Sequence, residues 1–255
     1  MNTPLSPRAL PWLKPGQDFP PVETAWGSED PAPGLLAAGG ALDVPTLVSA
    51  YSAGIFPWFS VGQPVLWWST DPRMVLHADR FRLHRSLRKR LQALLRDGRL
   101  EIRMDHDFGR VIQACACTPR IGQTGTWIMP AMIDAYRELH RAGFAHSVET
   151  WLDGQLAGGL YCVNLGGMVF GESMFSTCSD ASKMALSALV AFARVHDLPV
   201  IDCQQETGHL ASLGAQPIPR TSFCQQVQHL LQRPRPTWHF EPVYWLALMP
   251  SLPAP

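Results

Sequence analysis

Two short stretches carry polar groups where apolar ones are expected. In "FGESMFS", residues 170–176, Glu172 stands inside an aromatic, apolar run that reads as a strand. Side chains alternate along a strand, so Glu172 is expected to share a face with Phe170 and Met174. A carboxylate on such a face needs a partner, because burying it unpaired is costly. It is either a structural acid tied to an arginine or to backbone amides, or part of a functional site. In "VIDCQ", residues 200–204, alternation sets Val200, Asp202 and Gln204 on one face and Ile201 and Cys203 on the other. An acid and an amide two residues apart on a buried strand form a hydrogen-bonded relay, with a loop-anchoring Asp as the structural alternative. Burial would raise the Asp pKa and donors would lower it. Cys203 faces away from the pair, and no His is placed by motif to activate a thiol, so a Cys nucleophile is not expected.

What is absent narrows the chemistry. The chain has no G-x-x-x-x-G-K-[ST], no G-x-G-x-x-G and no H-E-x-x-H, so nucleotide-driven and zinc chemistry lack a signature. Only Lys14, Lys89 and Lys183 supply amines, and Lys183 reads as a helix-terminus residue. Such an enzyme needs a substrate that arrives already activated. The 21 basic and 21 acidic residues cancel, so nothing global points to nucleic acid. Cys115, Cys117, Cys162, Cys178, Cys203 and Cys224 are scattered without a C-x-x-C pair, against a zinc ribbon or a disulfide framework. A reducing, cytoplasmic compartment is expected. The start "MNTPLSPRALPW" lacks an apolar core, and "MALSALVAFARV" is too short to span a bilayer.

The elements that must position these groups follow from periodicity and punctuation. Residues 1–33 hold eight prolines and predict an irregular lead-in over a surface. Pro45 suits the first turn of a short helix running to about Tyr51 and stopped by Gly54. Phe56, Trp58, Phe59, Trp67 and Trp68 follow, either as a small core or as an aromatic wall stiffened by Pro57. Leu83, Leu87, Leu91, Leu94 and Leu95 define an amphipathic helix that ends near Gly98. Residues 80–103 carry nine basic residues against Asp97 and Glu101, a local charge of about +7. That face is either simply solvated or meets a polyanion.

Beyond it, helices are predicted from Asp107 through "VIQACACT" and over "PAMIDAYRELHRAG". Three strands follow, joined at Asp153-Gly154 and Gly166-Gly167, both hairpin signals. A buried helix capped by Ser or Asp at "SDASKMALSALVAFARVH", the strand "LPVIDCQ" and a last helix at "PRTSFCQQVQHLLQ" complete the pattern. An antiparallel meander with helices and a further strand makes an α+β sheet domain.

The sequence resembles the bacterial leucyl/phenylalanyl-tRNA:protein transferases. The likeness is carried in order by "GLLAAGG", "AYSAGIFPWFS", "LWWSTDPR", "GTWI", "AYRELH", "AHSVE", "FGESMFS", "ASK", "IDCQ", "HLASLGA" and "IPR", over roughly residues 34–224. Departures are few: "GGAL" lacks an acidic third residue, "STDPR" replaces Ser-Pro-Asp-Pro-Arg, and Met129 stands where Thr is usual. The resemblance implies a small N-terminal domain (1–79) and a larger acetyltransferase-like (GNAT-type) domain (80–255). It implies transfer of Leu or Phe, less readily Met, from charged tRNA to proteins that begin with Arg or Lys, marking them for degradation. No cofactor, metal or membrane is implied.

By the same resemblance, Glu172 lies at the aminoacyl site, and Asp202 with Gln204 lies where the acceptor amine attacks. Tyr51, Trp58, Trp127, Tyr136, Phe170, Met174 and Ser176 would wall the aminoacyl and adenosine pockets. On the basic helix and its lead-in, Arg82, Arg85, Arg88, Lys89 and Arg90 are candidates for tRNA phosphates. Two other classes compete. An acetyl-CoA-dependent N-acetyltransferase needs a pyrophosphate loop that "QLAGGL" fails to supply inside a predicted strand. A non-catalytic RNA-binding module would lack its usual aromatic signatures.

Overall fold

A computed structural model of the protein describes residues 9–118 and 128–250. A small sheet comes first, in the order β1-β2-β4-β3: β1 (Trp12–Leu13), β2 (Leu35–Gly39), β3 (Phe56–Pro57) and β4 (Leu66–Trp68). The proline-rich lead-in is mostly irregular, as its composition predicts, but β1 pairs in parallel with β2. Gly39 makes that approach possible, since a Cβ there would lie 2.7 Å from the Leu13 carbonyl oxygen. Between β2 and β3, α1 (Val44–Ser52) starts on Asp43, whose carboxylate accepts the Thr46 N–H at 2.9 Å, and Pro45 occupies its first turn.

The larger sheet has seven strands in the order β11-β5-β10-β9-β8-β7-β6. Its elements in chain order are β5 (Arg73–His77), α2 (Arg85–Arg96), β6 (Leu100–Met104), α3 (Phe108–Cys117), α4 (Pro130–Arg141), β7 (Ala145–Leu152), β8 (Gln155–Leu165) and β9 (Met168–Ser176). They continue with α5 (Ala181–Val195), β10 (Val200–Gln204), α6 (Gly208–Ser212), β11 (Gln216–Ile218) and α7 (Arg220–Leu230). The architecture is mixed α/β. The β7–β8–β9 meander turns at Asp153-Gly154 and Gly166-Gly167, as the hairpin signals require. β10 then returns parallel to β9 and antiparallel to β5. The expected domain boundary at residue 79 falls beyond β5, which is an interior strand of the larger sheet; the chain crosses between sheets over residues 69–72.

Apolar residues cover both faces of this sheet. One cluster joins α1, α3, α4 and α7 to the small sheet, through Tyr51, Trp67, Tyr136, Phe170 and Phe223. On the other face α5 is buried nearly all round, with Met184, Leu186, Leu189 and Phe192 against Leu160, Val169 and Ile201. Contact is close enough that a Cβ on Gly158 would come within 2.6 Å of the Ala181 Cβ. The Ser or Asp cap expected for α5 takes another form. Asp180 precedes the helix with φ 65° and no side-chain cap bond; its carboxylate meets Lys183 and Arg90, and the Ser182 N–H is taken by the Ser176 hydroxyl.

Candidate functional site

The parallel ladder between β9 and β10 stops at Phe170 and Asp202. Each strand is irregular just beyond. On β9, Gly171 faces Cys162 and Ser173 faces Tyr161, so Glu172 is an extra, unpaired residue. On β10, Asp202 faces Val75 and Gln204 faces Met74, so Cys203 is the extra one. Such bulges re-aim side chains and end pairing. The expected alternation is corrected here: Phe170 belongs to the cluster with the tyrosines, whereas Met174 packs on the α5 side, because the extra residue reverses the faces.

Where the strands part there is a cavity of about 320 Å³. Leu160, Met174, Leu186, Leu189, Ile201 and Leu210 give it an apolar body, and Glu172 and Gln204 add polar groups to its wall. That is the usual composition of a small-molecule site. Cys203, expected to face away from Asp202 and Gln204, borders the same cavity as they do, and burial pushes its thiol pKa well up. A thiol held protonated is a poor nucleophile.

Glu172 accepts hydrogen bonds from Tyr51 Oη at 2.7 Å, Tyr136 Oη at 3.0 Å and Gln204 Nε2 at 3.3 Å. The two tyrosine hydroxyls also contact each other. Burial raises the Glu172 pKa from 4.5 to about 7, while the tyrosine bonds pull it down and the nearby Asp202 charge pushes it up. Tyr51 and Tyr136 are fully buried, which raises both phenols well above their ordinary value.

Asp202 has a different environment. It is fully buried and takes both Arg73 Nε (2.8 Å) and Arg73 Nη2 (2.6 Å). Its Oδ1 also accepts the Gln204 N–H at 2.9 Å. Arg73 was legible only as the last letter of "STDPR", and no role attached to it.

The remaining expected site residues divide. Phe170 is fully buried 5.0 Å from the Tyr51 ring, supporting the site from behind. Ser176 is exposed at the start of α5. Trp58 does not border the cavity; it packs on Trp68 at 5.3 Å in the small sheet. Trp127 lies outside the described residues. Arg82, Arg85, Arg88 and Lys89 are exposed on α2 and its lead-in and have no ion-pair partner among the described residues. Arg90 joins Asp180 at 3.3 Å and so ties the basic helix to the start of α5. The segment "QLAGGL" lies within β8, as expected.

Among the described residues no group of His, Cys, Asp and Glu is arranged to hold a metal ion, and no helix is long and apolar enough to cross a membrane. An apolar pocket beside a near-neutral carboxyl, an amide and two hydroxyls has the parts of a group-transfer site. The family model for leucyl/phenylalanyl-tRNA protein transferase matches residues 75–228, and the model for the N-terminal domain of that family matches residues 40–71. Leucyl/phenylalanyl-tRNA–protein transferases from Polaromonas sp. strain JS666 and Albidiferax ferrireducens are 62% and 58% identical. The first match covers 97% of this chain and 98% of the relative, the second 95% and 96%. The relative from Leptothrix cholodnii is 54% identical over 96% of this chain and 99% of its own. The chain belongs to the leucyl/phenylalanyl-tRNA–protein transferase family. Among solved structures, L-PGS from Bacillus licheniformis covers 84% of this chain and 70% of its own at a TM-score of 0.36 and 8% identity.

Proposed function

We propose that this aminoacyltransferase moves Leu or Phe, and less readily Met, from charged tRNA to the α-amino group of proteins that begin with Arg or Lys, marking them for degradation. The cavity at the parted strands carries the reading: its apolar body suits an unbranched or γ-branched side chain, and its polar wall lies where the ester would sit. The amine nitrogen attacks the ester carbonyl carbon, the bond to the ribose oxygen breaks, and one proton passes from the amine to that oxygen. Orientation and charge stabilisation suffice for this, because the ester is already activated. Glu172, held from behind by the two buried tyrosine hydroxyls, orients the donor end, and the Gln204 side chain meets the acceptor amine. Glu172 is also the group whose proton affinity suits exchange near neutral pH.

The unpaired cations of α2 supply the contact for tRNA phosphates. We place the work in the cytoplasm, which six free thiols suit, and the larger domain in the acetyltransferase-like class, which a mixed sheet opened between parallel strands suits. The test is transfer from Leu-, Phe- and Ile-charged tRNA to an Arg-initiated peptide, with acetyl-CoA plus the same peptide as control. Transfer of Leu and Phe without Ile, and no acetylation, is the expected result. Leu189→Ala deepens the pocket and shifts selectivity between Leu and Phe by about 1 to 3 kcal/mol in kcat/KM. Arg88→Glu with Lys89→Glu raises the donor KM and lowers the log–log salt slope by about 0.7 to 0.9 for each lost phosphate contact.

A further inference from the structure

Five described residues other than glycine have positive φ. Four are Asp105, Asp153, Asp180 and Asp197, a type that tolerates this region through local hydrogen bonds. The fifth is Gln204, with φ 54°. A glutamine gains no such local help, so its conformation must be imposed from outside. Both ends of the residue are held. The Gln204 N–H is donated to Asp202 Oδ1 at 2.9 Å, and its carbonyl oxygen accepts the Thr70 hydroxyl at 3.1 Å.

Asp202 is itself fixed. Its carboxylate receives three hydrogen bonds, two of them from Arg73, and no part of the residue is exposed. Arg73 is locked in turn: Nη1 donates to the Gly54 carbonyl at 3.1 Å, and the guanidinium lies 4.7 Å from the Phe56 ring centre and 4.5 Å from that of Phe223. A planar fork with five donors can hold a carboxylate in one plane while its faces stack on rings; an ammonium cannot. The chain of contacts runs from Gly54, in the turn after α1, and Phe56 of the small sheet through Arg73 and Asp202 to the Gln204 peptide. From there the Gln204 side chain reaches Glu172 at 3.3 Å.

We infer that Arg73 and Thr70 are positioning residues that hold Gln204 in its left-handed conformation, and that Asp202 is the middle link of this clamp rather than the group that takes the amine's proton. The inference rests on the aminoacyl-transfer reading above. A general base needs a lone pair within hydrogen-bond reach of the proton it removes. Asp202 borders the cavity, but it is fully buried and its carboxylate is taken by Arg73 and the Gln204 N–H, whereas the Gln204 and Glu172 side chains meet each other in the cavity wall.

The experiment measures kcat and KM for Leu-charged tRNA and an Arg-initiated peptide with the full chain. Thr70→Val lowers kcat by about tenfold, the factor corresponding to one hydrogen bond of ordinary strength, with the donor KM unchanged, and Thr70→Ser restores it. Arg73→Lys keeps the charge beside Asp202 but not the fork; it lowers kcat at least as far as Asp202→Asn, which keeps an oxygen for the Gln204 N–H. If Asp202 were the base the order would reverse: Asp202→Asn would lose about 10² to 10⁴-fold while Arg73→Lys stayed near wild type. That reversed order, or a Thr70→Val variant with wild-type kcat, overturns the clamp. Circular dichroism and melting identify variants that fail to fold; should Arg73→Lys be one, the Thr70 pair decides. A wild-type protein that transfers nothing from charged tRNA would instead overturn the aminoacyl-transfer reading itself.

Discussion

Asp202 and Glu172 lie on neighbouring strands at the same corner of the sheet, and each is solvated by protein in the opposite manner. Asp202 is paired with a cation, Arg73, that occupies both its oxygens. Glu172 has only neutral donors, two phenols and an amide. Neutral donors stabilise a buried carboxylate less than a bidentate guanidinium does. Burial therefore raises the Glu172 carboxyl to about 7. One acid is clamped by a cation and holds geometry; the other has a carboxyl raised to about 7 and suits proton exchange near neutral pH. Composition and depth are similar, so the difference lies in the partner.

The largest effect expected from that difference is at Glu172. Glu172→Gln keeps the shape and removes the titration; it should lower kcat by about 10² to 10⁴-fold and flatten the limb that otherwise rises through about pH 7. A pH profile that keeps its limb in the variant would take proton exchange away from Glu172. Stability separates the two acids next. Asp202→Ala strands the buried Arg73 charge and should cost about 3 to 5 kcal/mol in urea unfolding.

Glu172→Gln should go the other way at alkaline pH. The folded chain binds the Glu172 proton more tightly than the unfolded chain does, since the carboxyl stands above its ordinary 4.5. Stability is therefore lost as pH rises through the window from 4.5 to about 7. The glutamine variant should match wild type near pH 4 and exceed it near about pH 8, as urea midpoints would record. Equal midpoints at alkaline pH would mean that the neutral donors and nearby water solvate the carboxylate fully.

Much of this corner could be read in advance. The oddity of a Glu inside "FGESMFS" and of an acid–amide pair in "VIDCQ" pointed to residues that the fold does bring together and partner, because polar groups on apolar strands need partners. Asp43 with Pro45, and the turns at Asp153-Gly154 and Gly166-Gly167, are local signals and appear as local structure. The bulges were not legible, since a period-two pattern contains no mark for one extra residue. Without them Met174 was assigned to the face of Phe170. Arg73 was missed for a related reason: its partner is 129 positions away, and nothing at Arg73 itself distinguishes a buried fork from a surface charge. Trp58 was open to two readings, core or wall. An aromatic beside a stiff proline suggested a wall, but its nearest ring, Trp68, comes from the paired strand of the small sheet.

The smallest effect tests the same contrast at the surface. Asp180 meets Arg90 at 3.3 Å and Lys183 at 3.0 Å, yet all three side chains are between a quarter and two-fifths exposed. Its carboxyl is held below the ordinary value by the Lys183 hydrogen bond first and by Arg90 after it. Water and salt screen such a pair, so Asp180→Asn should change stability by less than about 1 kcal/mol, and by less still at high salt. Asp202→Ala should show no such salt relief, because no ion reaches Arg73. Donor binding should respond in the opposite sense. Removing Asp180 releases Arg90 and Lys183 beside the unpaired cations of α2, so the KM for charged tRNA should fall at low ionic strength and converge on wild type as salt rises. A stability loss as large and as salt-independent as that of Asp202→Ala would erase the distinction between the buried and the exposed pair. An unchanged KM would confine the phosphate contact to Arg82, Arg85, Arg88 and Lys89.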